Sequence, residues 1–109
     1  TINGRRYIDG GMRSATNADC AKDYDTVLVV AVTTDVPGPM GDQSRARLAA
    51  ELQTLRDAGR SVECLQPDAG SRAAFGPNLM DFSRRTASAE AGYAQGQSAA
   101  SSLRAMWDA

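Results

Sequence analysis

At 109 residues and a net charge of −1, the chain is sized for one small domain. It lacks the clustered Lys and Arg that a nucleic-acid surface needs, so no nucleic-acid partner is expected. Only 6% of the residues are aromatic and none is histidine. A Ser-His-Asp triad, a Cys-His pair and a His-ligated metal are therefore excluded within these residues.

In chain order, Thr1-Ile2-Asn3-Gly4-Arg5-Arg6 has neither an initiator Met nor the character of a signal peptide, and the chain reads as a piece of something longer. Asn3-Gly4 is a tight-turn dipeptide, which predicts a strand over 5–8. Asp9-Gly10-Gly11 then turns out of that strand, with glycines available for positive φ. Residues 12–25 are polar and irregular, with one helical turn at about Ala18 to Lys22. Residues 26–33, Thr26-Val27-Leu28-Val29-Val30-Ala31-Val32-Thr33, read as a central strand, apolar on both faces as a covered parallel sheet requires.

Pro37-Gly38-Pro39 and Gly41 mark a loop. Asp42 is the expected cap of a helix to about Ala58, with Gly59 as its stop. Leu48, Leu52 and Leu55 form one apolar stripe on that helix. Ser61 to Leu65 is the next strand, ended by Pro67, which makes a βαβ unit with a right-handed crossover. After a loop holding Gly70, Gly76 and Pro77, a long helix is predicted over about 81–107. Gly92, Gly96, Ala99, Ala100 and Leu103 give it a small-residue face suited to close approach of another backbone, and Leu103, Met106 and Trp107 anchor its end. No run of about 18 apolar residues, the length a spanning helix needs, is present.

Cys20 and Cys64 lack metal spacing and are read as small buried apolar groups, not as a bridge. The pairs Arg5-Arg6 and Arg84-Arg85 are read as solvated or locally paired. In open α/β sheets reactive groups collect just past the carboxyl ends of strands, and that is where Asp9 falls.

Taken in order, Gly4-Arg5-Arg6-Tyr7-Ile8-Asp9-Gly10-Gly11-Met12-Arg13-Ser14, Asn17-Ala18-Asp19 and Val27-Leu28-Val29-Val30 resemble the C-terminal half of a bacterial patatin-like phospholipase. Phe75-Gly76-Pro77-Asn78-Leu79-Met80-Asp81, Arg84-Arg85 and Ala91-Gly92-Tyr93-Ala94-Gln95-Gly96 are similar to the closing helix of the same group. The resemblance covers most of the chain. It implies an α/β fold, part of a three-layer α/β/α sandwich with a mostly parallel sheet. Residues 1–109 would be the C-terminal portion of a single patatin-like domain. It also implies a lipid acyl hydrolase working through a Ser–Asp dyad, in which Asp9 is the catalytic aspartate and Gly10 and Gly11 support its turn.

The family's serine elbow and glycine-rich oxyanion loop lie upstream of Asp-Gly-Gly and map onto nothing here. The expected partners are thus a lipid or ester substrate and the missing N-terminal segment, with transient membrane-surface contact. This portion alone would be inactive. No metal or cofactor is implied, and the compartment stays open, with the cytoplasm favoured. Ser98, in Gly96-Gln97-Ser98-Ala99-Ala100, is assigned no catalytic role. The family's Asn-x-Pro stands here as Asn17-Ala18-Asp19, without proline.

A serine hydroxyl needs a base to become a nucleophile, and without histidine a carboxylate is the available one. An exposed carboxylate with a pKa of about 3.9 is a weak base that desolvation improves. The competing role for Asp9 is a turn carboxylate capping nearby N–H groups. Asn17 and Asp19 are read as loop formers, and Thr34 and Asp35 as strand-end residues before cleft-lining ones. Two other functions compete: an N-terminal-nucleophile hydrolase using Thr1, and a non-catalytic α/β ligand-binding module. For the module, Gly38-Pro39-Met40-Gly41 is the one phosphate-loop candidate, and it lacks the required spacing.

Overall fold

β-Branched residues crowd Thr26–Val30, which forms strand β1 in the computed structural model, where residues 1–34 and 36–108 are described. Pro39–Asp57 follows as helix α1 and Ser61–Leu65 as strand β2. β1 and β2 pair in parallel, Thr26 opposite Ser61 through Val30 opposite Leu65, so the expected βαβ unit is present. The fold is mixed α/β with a two-stranded parallel sheet. Residues divide into two compact units, Thr1–Leu65 and the segment from Gln66 onward.

The core of the first unit follows from two periodicities. Val27 and Val29 of β1, with Ala31 just past its end, share one face with Val62 of β2, and Leu48, Leu52 and Leu55 line one stripe of α1. These side chains pack together with Ala18, and Cys64 sits against the cluster. The opposite sheet face is open at Val30, which is 62% exposed. β1 is shorter than the predicted 26–33 because its ladder partner ends at Leu65, whose carbonyl accepts the last bond, from Ala31 N–H at 2.8 Å.

α1 starts earlier than expected. Pro39 occupies its first turn behind Gly38, which serves as N-cap, so Asp42 lies inside the helix and pairs with Arg45. Its end is as predicted. Gly59 takes φ +78°, Gly59 N–H donates to Arg56 O at 2.9 Å, and Arg60 N–H donates to Leu55 O at 3.0 Å, closing a Schellman motif.

Asn3 and Gly4 form the expected tight turn, both at positive φ, with Ile2 and Arg5 bridged across it. The predicted strand over 5–8 does not form. Arg6 to Ile8 carry no ladder, and Ile8 is 81% exposed. Extended residues need a neighbouring strand, and the described sheet contains only β1 and β2.

In the second unit, Ala69–Phe75 forms helix α2, capped by Asp68 and ended by Gly76. A 3₁₀ turn at Phe82–Arg84 leads into helix α3, Arg85–Asp108. Gln95 of α3 accepts from Ser71 Oγ at 2.7 Å and donates to Gln66 O at 2.6 Å. Among the described residues the close approach expected at Gly92 and Gly96 is not made, because a Cβ at either would meet nothing within 4 Å. Ser98 Oγ donates to Ala94 O at 3.1 Å, an ordinary back-bond within the helix. Arg84 pairs with Asp81 at 3.3 Å, and Arg85 lies 4.3 Å from the Phe82 ring centroid, so this arginine pair is engaged locally. Among the described residues no helix is long and apolar enough to cross a membrane.

Candidate active site

Asp9 leaves extended backbone and caps a single 3₁₀ turn, Gly10–Met12. Its Oδ1 accepts from Gly11 N–H at 2.9 Å, and its side chain is exposed. Asp9 therefore performs the turn-capping role, while a catalytic role needs a hydroxyl that no described residue brings to it. Neither Gly10 nor Gly11 adopts positive φ, contrary to the sequence expectation. What Gly11 provides is space: a Cβ there would stand 3.3 Å from Asp9 Oδ1.

The turn is tied down far more heavily than its exposure suggests. The Gly10 carbonyl accepts from Arg13 N–H at 3.0 Å, Ser14 N–H at 3.2 Å and Asn17 Nδ2 at 3.1 Å. Asn17 sits in the left-handed region at φ +49°, donates also to Ser14 O at 2.9 Å, and accepts from Arg13 Nη1 at 2.8 Å. The buried Ser14 hydroxyl accepts from Thr16 N–H and Asn17 N–H. Asn17 and Asp19 thus act as loop formers, as expected.

Arg13 grips Asp19 with two bonds, 2.9 and 2.5 Å. This hydrogen-bonded guanidinium holds the Asp19 carboxyl below the ordinary aspartate value of 3.8, and the carboxylate in turn raises Arg13. A carboxyl depressed in the folded state contributes stability that is present above 3.8 and is lost as pH falls through the lowered value. The loop clamp is therefore expected to persist through mildly acidic pH and to open only below the ordinary range. Replacing Arg13→Gln should return Asp19 toward 3.8 in a carboxyl-detected NMR titration. An unchanged midpoint would remove Arg13 as the cause.

Sequence reasoning missed Glu51. This α1 side chain is only 7% exposed, and its Oε2 accepts from Thr16 Oγ1 at 2.8 Å and from Ala18 N–H at 3.0 Å. The signal was available: position 51 falls on the Leu48–Leu52–Leu55 stripe, where a charge is out of place. Thr34 is fully buried, and Asp35 lies outside the described residues. Cys20 is exposed instead of buried, and Cys64 is half-buried; both are free thiols. Among the described residues no group of three or more Cys, Asp and Glu is arranged to hold a metal ion.

Beside the loop, an open cleft of about 380 Å³ is lined by Asn17, Ala18, Tyr24, Leu28 and Val30 among others. Tyr7, Ile8 and Met12, flanking Asp9 in sequence, are exposed apolar side chains. Comparison of the chain with protein-family models, with curated proteins and with solved structures found no match.

Proposed function

We propose that this chain is the aspartate-bearing portion of a patatin-like lipid acyl hydrolase, with Asp9 as the base of a Ser–Asp dyad. On this reading residues 1–109 complete a single three-layer α/β/α domain together with a segment that carries the serine elbow and oxyanion loop. The observation that carries it is the disproportion at Asp9: an exposed turn whose Gly10 carbonyl takes three hydrogen bonds and whose flanking loop is anchored in α1 by a buried carboxylate. A reacting group needs such support, because misaiming by about 1 Å costs roughly a hundredfold in rate.

Asp9 accepts the serine proton as Oγ attacks the ester carbonyl, and passes it to the alcohol oxygen as the ester C–O bond breaks and the alcohol leaves. A water molecule, giving its proton to the same carboxylate, then attacks the acyl-enzyme; the bond to the serine Oγ breaks, the proton returns to that oxygen and the fatty acid is released. Exposed Tyr7, Ile8 and Met12 offer an apolar rim on which an acyl chain or a lipid surface can lie. Removing water from a carboxylate favours its protonated form, which is the direction a base needs.

Thr1, exposed ahead of the tight turn, draws no comparable support. Nor does the segment Gly38–Gly41, since α1 carries the Asp42 carboxylate in its first turn, where a bound anion would be repelled. The test is a fluorophosphonate probe on the intact protein. One serine, outside residues 1–109, should be labelled. Failure to label any serine would end the acyl-hydrolase reading.

A further inference from the structure

We propose that Glu51 is a positioning residue for Asp9. From the middle of α1 it fixes the loop at residues 16–18, and through the Asn17 amide it holds the Gly10 carbonyl and thereby the aim of the Asp9 carboxylate. The inference rests on the reading of Asp9 as the base.

Stability alone is a poor reason for a carboxylate at this place. Glu51 lies on the leucine stripe, and taking its charge out of water costs several kcal/mol, while an apolar residue of similar size extends the core. The compensation is incomplete. Oε1 accepts no hydrogen bond among the described residues and stands 3.6 Å from Arg47 Nε, an ion-pair distance but too long for a hydrogen bond.

The whole of the hydrogen-bonding effort goes through Oε2, and both of its donors belong to one loop: the Thr16 hydroxyl at 2.8 Å and the Ala18 amide at 3.0 Å. These donors flank Asn17, a residue held in the left-handed region at a local cost. Between these pinned neighbours, the Asn17 amide donates to the Ser14 carbonyl at 2.9 Å. The same amide nitrogen also donates to the Gly10 carbonyl at 3.1 Å, one peptide unit from Asp9. Glu51 is thus linked to the candidate base by a short relay of hydrogen bonds that begins on a packed helix. A helix packed in the core is a better reference frame than the surface turn by itself.

The experiment compares variants of the intact protein on a short-chain p-nitrophenyl ester. Glu51→Leu keeps the stripe apolar and removes the acceptor. It should lower kcat by about tenfold to a hundredfold, with KM within about twofold. Glu51→Gln retains an oxygen for the same two donors and should restore most of kcat. Leu52→Val, on the same helix, serves as the control: it should lower Tm and leave kcat unchanged. If Glu51→Leu does not fold, Thr16→Val removes one of the two anchors and should lower kcat by about fivefold.

A folded Glu51→Leu enzyme with normal kcat overturns the proposal, as does a loss of the same size in Leu52→Val. Failure of the dyad reading shows itself separately, as full turnover in Asp9→Asn. In that event Glu51 is judged by amide hydrogen exchange. Glu51→Leu should speed exchange at both Ala18 and Gly11, and unchanged exchange at Gly11 rejects the relay.

Discussion

Asp9→Asn in the intact protein is expected to lower ester hydrolysis by about 10²- to 10⁴-fold, the range for losing a general base. The substitution separates the two roles open to this side chain. An asparagine oxygen can still accept from Gly11 N–H, the bond Asp9 makes at 2.9 Å, so the 3₁₀ turn keeps its cap. What is lost is the capacity to take a proton from a serine. A cap-only residue predicts unchanged turnover and an unchanged melting curve, whereas a base predicts collapsed kcat with the melting curve preserved. Near-normal turnover would reduce Asp9 to a structural turn residue and take the proposed activity with it.

Leu55→Ala is expected to destabilise the first unit by about 3 kcal/mol, within the range for emptying a leucine site in a core. Leu55 is 0% exposed, and it packs among Val27, Val29, Leu48, Leu52 and Val62. This core contains no aromatic ring and two alanines, so little material is on hand to collapse into the gap. Whole domains are commonly stable by only 5–15 kcal/mol, roughly, so the loss is a large share. Urea unfolding with a shared m-value measures it, and a cost under about 1 kcal/mol would mean that the site relaxes far more than close packing allows.

The βαβ unit was legible because its signals are local and agree with one another. Ser61–Leu65 has the predicted bounds, and Gly59 stops α1 by the αL geometry that favours glycine. The errors arose where a distant partner decides the outcome. Tyr7 and Ile8 have strand character, but a strand exists only beside another, and among the described residues none pairs with them. α2 was hidden by Gly70 between Pro67 and Pro77. Asp68 before Ala69 and Gly76 after Phe75 were its readable cap signals. The glycines of α3 were read as contact points, yet among the described residues a Cβ on either would meet nothing within 4 Å.

The candidate site divides in the same way. The Asp9 turn and its loop are contiguous in sequence and could be read from it. Glu51 is remote, and as a glutamate four residues after Arg47 it also suits an ordinary exposed ion pair. Only its place on the leucine stripe betrays that it faces inward.

The two cysteines give this arrangement a built-in reporter. Burial pushes the Cys64 thiol up, which slows its reaction with electrophiles, whereas Cys20 is exposed and adjacent to Asp19 in the clamp. A maleimide fluorophore should thus attach selectively one residue from the Arg13 grip. Rotational freedom of that dye would register slackening of the loop without any foreign residue being introduced.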